Sequence, residues 1–278
     1  MSTNGPDQAD LRGVRVLVTG ATSGIGRAMA EALVGGGAAV AITGRELGRV
    51  EEVAAAMPGG PGRAVGLAMD VRHEDQVARG VAEALERLGG LDVLVNNAGL
   101  GMRSVNPRFL TDPQPFWEVS HRGFADVIAT NLTGYFLVAR AVVPHLLQAG
   151  RGRIVNVTMN HSTMRRRGFV PYGPSRAGTE SLSRIMEADL AGTGISVNML
   201  LPGGPTATGM IPDELTAEVR RLLLPATVMA TPIVWLCSAA AEGVTGERIV
   251  AAEFDGWLEE WGRSADSPAV RPPGSEGG

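Results

Sequence analysis

The chain has 278 residues, 44% of them hydrophobic, enough to bury the core of one large α/β domain without splitting. A formal net charge of -4 and a pI near 5.7 exclude nucleic acid and an anionic membrane surface as natural partners, because the one basic run, Arg165 to Arg167, is too short to reverse that balance. A small-molecule ligand remains.

Residues 1–12 are polar and are expected to form a flexible arm, with no apolar stretch of the kind a leader carries. No uncharged apolar run of about 18 residues follows, so the sequence predicts a soluble, cytoplasmic protein. The domain itself is expected over 13–262. It opens on a strand from Val14 to Thr19, a turn with glycines at 20, 24 and 26, and a helix from Gly26 to Gly35. Glycines between a strand and a helix let backbone N–H groups approach a pyrophosphate, whose charge the helix dipole favours.

Strand-like and helix-like runs then alternate: Ala39 to Thr43, a helix from Leu47 to Met57, Ala64 to Asp70, a helix from His73 to Leu88, and Leu91 to Asn96. The second half continues with a helix from Phe124 to Gln148, a strand from Arg153 to Val157, a helix from Ser175 to Ala191 and a strand from Ile195 to Leu200. A helix near Pro232 to Ala239 and a strand from Arg248 to Ala252 end the series. This alternation predicts an α/β fold, a single-domain doubly wound parallel sheet with helices on both faces. Two Pro- and Gly-containing segments, 101–123 and 202–224, interrupt it and are candidate substrate lids. The Pro/Gly/Ser-rich stretch 263–278 is expected to be disordered.

All 25 basic residues are arginine, so no lysine amine is available for chemistry. The single cysteine, Cys237, cannot form an internal disulfide, suits a reducing compartment and reads as a small buried hydrophobe. The histidines at 73, 121, 145 and 161 lack metal-ligand spacing, so no metal is expected.

Four ordered signatures resemble the short-chain dehydrogenases/reductases over roughly residues 12–256: Thr19-Gly-Ala-Thr-Ser-Gly-Ile-Gly26, Asn96-Asn-Ala-Gly99, Tyr172 with a basic residue at 176, and Pro202-Gly203. The resemblance implies a Rossmann-like sheet of about seven parallel strands and a nicotinamide dinucleotide. Its contacts would be Gly20, Thr22, Ser23, Gly24, Ile25, Gly26, Asp70, Val71, Asn97, Ala98, Gly99, Tyr172, Arg176, Pro202, Gly203 and Thr206, with Asn96 holding the sheet together. A homotetramer or homodimer is also implied; Trp257 and Trp261 are candidates to cover the pocket or pack a subunit interface. The second strand ends Thr43-Gly44-Arg45, with glycine where an acid would read an unmodified ribose and an arginine after it. That favours NADP(H) over NAD(H), since a cation attracts the 2′-phosphate.

Of the family's catalytic residues, Tyr172 matches the acid/base tyrosine and Asn131 the asparagine of the proton relay. The lysine position is Arg176, four residues on and so on the same helix face, where a permanent cation still favours the phenolate. The serine position, thirteen residues before the tyrosine, is Met159, whose thioether cannot donate a hydrogen bond. Thr158 is expected on the opposite face. Asn160, Ser162 and then His161 are the candidates for a substitute donor, and Arg165 to Arg167 are either a solvated run or a contact for a substrate carboxylate or phosphate.

Three functions follow. The first is an NADP(H)-dependent oxidoreductase acting on a ketone or secondary alcohol, the second a cofactor-binding relative without ordinary carbonyl reduction serving as scaffold or sensor, and the third a non-redox lyase or cyclase on the same fold.

Overall fold

A computed structural model of the chain describes residues 10–57, 59–212 and 216–265. The strands are β1 (Arg15–Val18), β2 (Ala39–Gly44), β3 (Arg63–Ala68), β4 (Val93–Asn96), β5 (Gly152–Val157), β6 (Ile195–Leu201) and β7 (Arg248–Val250). All neighbours pair in parallel in the order β3-β2-β1-β4-β5-β6-β7, a Rossmann-like sheet. The chain reverses its direction of growth between β1 and β4, the point at which open sheets of this kind leave a crevice at their carboxyl ends.

Helices cover both faces: α1 (Gly24–Gly35), α2 (Leu47–Ala55), α3 (Glu74–Leu88), α4 (His121–Ile128), α5 (Gly134–Ala149), α6 (His161–Met164), α7 (Tyr172–Asp189), α8 (Ala217–Arg221), α9 (Ala230–Cys237) and α10 (Phe254–Ala265). The alternation of side chains along each strand sorts the core into two layers. Val16, Val18, Val40, Ile42 and Val155 face α1 and α9, whereas Leu17, Ala41 and Ile154 face α3 and α5. Buried on both faces, the strands read as continuous apolar runs.

Several boundaries move from where local sequence places them. The helix expected from Phe124 begins at His121, because Ser120 Oγ accepts a hydrogen bond from Gly123 N at 3.1 Å and caps it. The helix expected from Ser175 begins at Tyr172 despite Pro174, because a first-turn proline forfeits no intrahelical hydrogen bond. The second shift matters for the site, since Tyr172 thereby gains a fixed helical position. Leu11, expected in the flexible arm, is fully buried and its N–H donates to Gly36 O at 2.8 Å. At the other end α10 runs to Ala265, past the expected boundary at 262, and the remainder of the 263–278 stretch lies outside the described residues, as do residues 1–9 of the arm.

Trp257 and Trp261 are half-buried on the α1/α9 side of the sheet. They stack on each other at 5.4 Å, and Trp257 also packs against Trp235 and Phe254 at 5.5 and 5.9 Å, extending the core of the chain's own α1/α9 face. Cys237 is buried in the same layer, where desolvation pushes its thiol up to about 12 and leaves it unreactive.

Segment 121–149 is long and apolar enough to cross a membrane by length and composition. It instead covers the sheet, burying Val127, Asn131, Tyr135, Val138, Val142 and Leu146. A π turn at Ala129–Thr133 interrupts it, and the Asn131 carbonyl accepts a hydrogen bond from Thr179 Oγ1 at 3.0 Å. Such turns often mark functional positions.

Candidate active site

The expected site residues converge at the carboxyl ends of β1, β2, β4, β5 and β6. Gly20 and Gly24 have φ of 64° and 56°, a left-handed conformation that favours glycine. A Cβ on Gly20 would stand 2.7 Å from Ala98 Cα, and one on Gly26 would collide with Asn97 Nδ2 and Gly20 O. The turn after β1 is thus packed against the turn after β4. Asn97 Nδ2 donates to Thr19 O and Gly20 O at 2.9 and 3.0 Å, and Thr19 Oγ1 accepts from the N–H groups of Asn97 and Ala98 at 2.9 and 3.0 Å. Asn96 is fully buried and donates to Asn156 Oδ1 and Tyr135 O, tying β4 to β5 and α5. Gly26→Ala is expected to cost about 1–3 kcal/mol by overpacking this joint. A thermal melt within one degree of the parent would contradict that packing account.

β2 ends on Gly44 rather than on an acid, and Glu46 two residues on is the N-cap of α2. A Cβ on Gly44 would lie 2.7 Å from Thr22 Cγ2 and 2.8 Å from Val50 Cγ2, so Thr22 and Val50 fill the space a side chain needs. Arg45 is exposed beside it and forms no ion pair among the described residues. Asp70 is mostly buried; its hydrogen bonds to the Arg72 guanidinium, one of 2.6 Å, hold its carboxyl below the usual range. Val71 packs under Gly134, where a Cβ would approach to 2.7 Å.

Tyr172 and Arg176 share one face of α7. The guanidinium carbon lies 5.5 Å from the Tyr172 ring centroid and equally 5.5 Å from that of Tyr135. Arg176 Nη1 donates to Tyr135 Oη at 2.8 Å and to Val157 O at 2.9 Å. Its Nη2 lies against Gly99, within 2.5 Å of where a Cβ would be. Asn131 is fully buried and grips the Leu100 backbone in both directions, donating to O at 3.0 Å and accepting from N at 2.7 Å, while also donating to Ser175 Oγ. The loop after β4 is thereby fixed beside Arg176.

Met159 is buried with Met102, Phe109 and Phe169, and Tyr172 packs against this cluster. Its neighbours direct their donors elsewhere. Thr158 Oγ1 donates to Glu180 Oε1 at 2.9 Å, and Asn160 Nδ2 donates to Gly203 O at 2.8 Å. Ser162 and His161 are exposed, and His161 Nε2 lies 2.7 Å from Glu180 Oε2. Arg165 to Arg167 are exposed as well, with Arg166 over the Phe169 ring at 5.2 Å.

The two expected lids meet each other. Arg103 Nη1 donates to Gly209 O and Ile211 O at 3.3 and 3.1 Å, and a Cβ on Gly101 would meet Met210 Cγ and Sδ at 3.1 Å. Thr208 faces Gly24, so 202–212 folds back over the glycine turn. Pro202 O accepts from Ala252 N at 3.2 Å, Gly203 has φ of 98°, and Thr206 is buried, pairing with Leu224.

Three residues of this region escape a reading of motifs. Tyr135 carries a weak signal, standing four positions after Asn131 on the same helical segment. Glu180 and Arg248 carry none: Arg248 Nε donates to Glu180 Oε1 at 2.9 Å and its Nη2 to Met159 O at 2.7 Å, across 89 residues of sequence.

The sheet order, the glycine turn and the crevice define a Rossmann-like α/β protein. A family model described as short chain dehydrogenase matches residues 14–218. Gluconate 5-dehydrogenase of Gluconobacter oxydans (strain 621H) is 33% identical over 198 residues, covering 71% of this chain and 73% of that protein. The 3-oxoacyl-acyl-carrier-protein reductase of Aquifex aeolicus is 32% identical over 248 residues, covering 86% and 96%. Among solved structures, the 3-ketoacyl-(acyl-carrier-protein) reductase of Brucella melitensis complexed with NADH superposes with a TM-score of 0.76 at 29% identity, covering 87% of this chain and 97% of that one. The chain therefore belongs to the short-chain dehydrogenase/reductase family, oxidoreductases acting on alcohol and ketone groups.

Proposed function

We propose that the chain is an NADP(H)-dependent oxidoreductase of the cytoplasm that interconverts a ketone and a secondary alcohol, with Tyr172 as acid/base. The observation that carries the reading is the Tyr172 ring standing over a buried cation, Arg176, beside Gly99 at the crevice. The residues present fit a dinucleotide: Gly20, Thr22, Ser23, Gly24, Ile25 and Gly26 offer a close-approach turn at the start of α1, and Asn97, Ala98 and Gly99 line the next loop. Asp70, Val71, Pro202, Gly203 and Thr206 complete the contacts. Bound there, a nicotinamide supplies or accepts the hydride.

In the reducing direction Tyr172 would give its proton to the substrate's carbonyl oxygen. Arg176 stabilises the resulting phenolate, and Asn131 holds the Leu100 backbone through which the site keeps its shape. Arg45 selects the phosphorylated cofactor, because Gly44 leaves no room for a competing carboxylate. Arg45→Ala is expected to raise the KM for NADPH about tenfold, the loss of one exposed charge-assisted contact, and to leave that for NADH within about twofold. Equal effects on both would remove Arg45 from cofactor choice.

Single-turnover oxidation of NADPH against a panel of ketones tests the activity, with loss of the reaction in Tyr172→Phe required. The buried thioether of Met159 and the committed donors of Thr158 and Asn160 favour a second reading, a relative that binds cofactor without reducing ordinary carbonyls. Tight NADPH binding with no turnover on any ketone selects it. The reading includes a homotetramer or homodimer, supported by Phe124, Phe136 and Leu147, which are 41%, 44% and 47% exposed along 121–149. Sedimentation as a monomer at micromolar concentration would end that part of it.

A further inference from the structure

We propose that Tyr135 is the positioning residue for Arg176, so that the two act as one unit at the place where a single compact cation would otherwise serve. A guanidinium is longer and flatter than an ammonium, and a cation buried at this depth needs acceptors of fixed geometry. Arg176 is 3% exposed, and its Nε has no hydrogen-bond partner. Nη1 is the anchored end, held by Tyr135 Oη at 2.8 Å and Val157 O at 2.9 Å.

Tyr135 closes the triangle by donating to the same Val157 carbonyl at 3.2 Å. Its hydroxyl therefore accepts from the cation and donates to the strand, using both capacities of a phenol. The guanidinium carbon lies 5.5 Å from each ring centroid, and the anchoring of Nη1 leaves Nη2 against Gly99. A phenylalanine at 135 would fill nearly the same volume. It would leave Nη1 with Val157 O alone, a single acceptor about which the guanidinium can turn.

The inference rests on Tyr172 as the proton-transferring group. Its test is read without substrate, so loss of positioning and lack of ketone reduction remain separate results. The chain has two tyrosines, and 13Cζ-labelled tyrosine therefore gives two NMR signals, assigned by Tyr172→Phe. Tyr135→Phe is expected to move the Tyr172 titration midpoint up by about one unit, because a cation free to turn away stabilises the phenolate less. In an Arg176→Met background the same substitution is expected to move it no further. A midpoint that stays in place or falls in Tyr135→Phe overturns the proposal, as does an equal rise in the Arg176→Met background. Should Tyr135→Phe fail to fold, Arg176→Met carries the test from the other side. The Tyr135 signal must then shift relative to the parent, and an unmoved signal overturns the coupling.

Discussion

Tyr172→Phe is expected to lower kcat for ketone reduction by about 10³-fold while leaving NADPH affinity within about twofold, the span that a positioned general acid contributes. The substitution removes one oxygen from a half-buried ring and keeps the contacts of that ring with Met159 and Arg176. Stability should therefore stay within about 0.5 kcal/mol, since no cavity forms. The separation of kcat from cofactor affinity is the informative part. If Tyr172 only shaped the pocket, a phenylalanine would serve and kcat would hold. If it chiefly held the cofactor, the NADPH dissociation constant would rise instead. Single-turnover kinetics and a fluorescence titration of NADPH decide between these outcomes, and retained turnover in the variant would remove Tyr172 from the chemistry.

Met159→Ser is expected to raise kcat/KM for ketones by about 10²-fold, the value of one preorganised donor at a developing oxyanion. The backbone at 159 is already fixed, because Arg248 Nη2 holds the Met159 carbonyl at 2.7 Å and Glu180 holds Arg248 in turn. A serine hydroxyl would start from the same Cα and face the same side as Tyr172. The cost is packing: truncating a methionine that is 9% exposed among Met102, Phe109 and Phe169 should destabilise by about 2–4 kcal/mol. Met159→Ala is the necessary partner experiment, since it makes the cavity without the donor. A rate gain in serine but not in alanine, at equal loss of stability, identifies the hydroxyl as the cause. A gain in both would mean that the methionine blocks substrate rather than withholding a hydrogen bond.

Much of this arrangement is legible before any coordinate is known, and for identifiable reasons. Strand alternation predicts Thr158 and Met159 on opposite faces; β5 ends at Val157, and the Thr158 hydroxyl donates to Glu180 of α7. The i, i+4 spacing puts Tyr172 and Arg176 on one face of α7 once the helix is known to start at Tyr172. That start is less legible in the sequence, since Pro174 stands inside the first turn, where a proline is tolerated. The tryptophans near the C-terminus show the opposite limit. Large aromatic side chains announce burial but not what they are buried against: Trp257 packs on Trp235 and Phe254 of the same chain, and Trp261 stacks on Trp257.

The parallel α/β sheet, the glycine turn, the glycine in place of an acid at position 44 and the residues at the serine and lysine positions are all legible in the sequence. Each of these depends on spacing within a few residues, where backbone geometry is fixed by φ, ψ and helical or pleated period. That Tyr135 and Val157 hold Arg176, that Glu180 and Arg248 fix Met159, and that Arg103 brings 101–123 against 202–212 follows from the folded chain alone. Those contacts join residues 19 to 108 positions apart, and no local periodicity carries them. They exist because the parallel crossovers deliver the carboxyl ends of β4, β5 and β6 to one edge, where buried polar groups must find partners among whatever side chains arrive there.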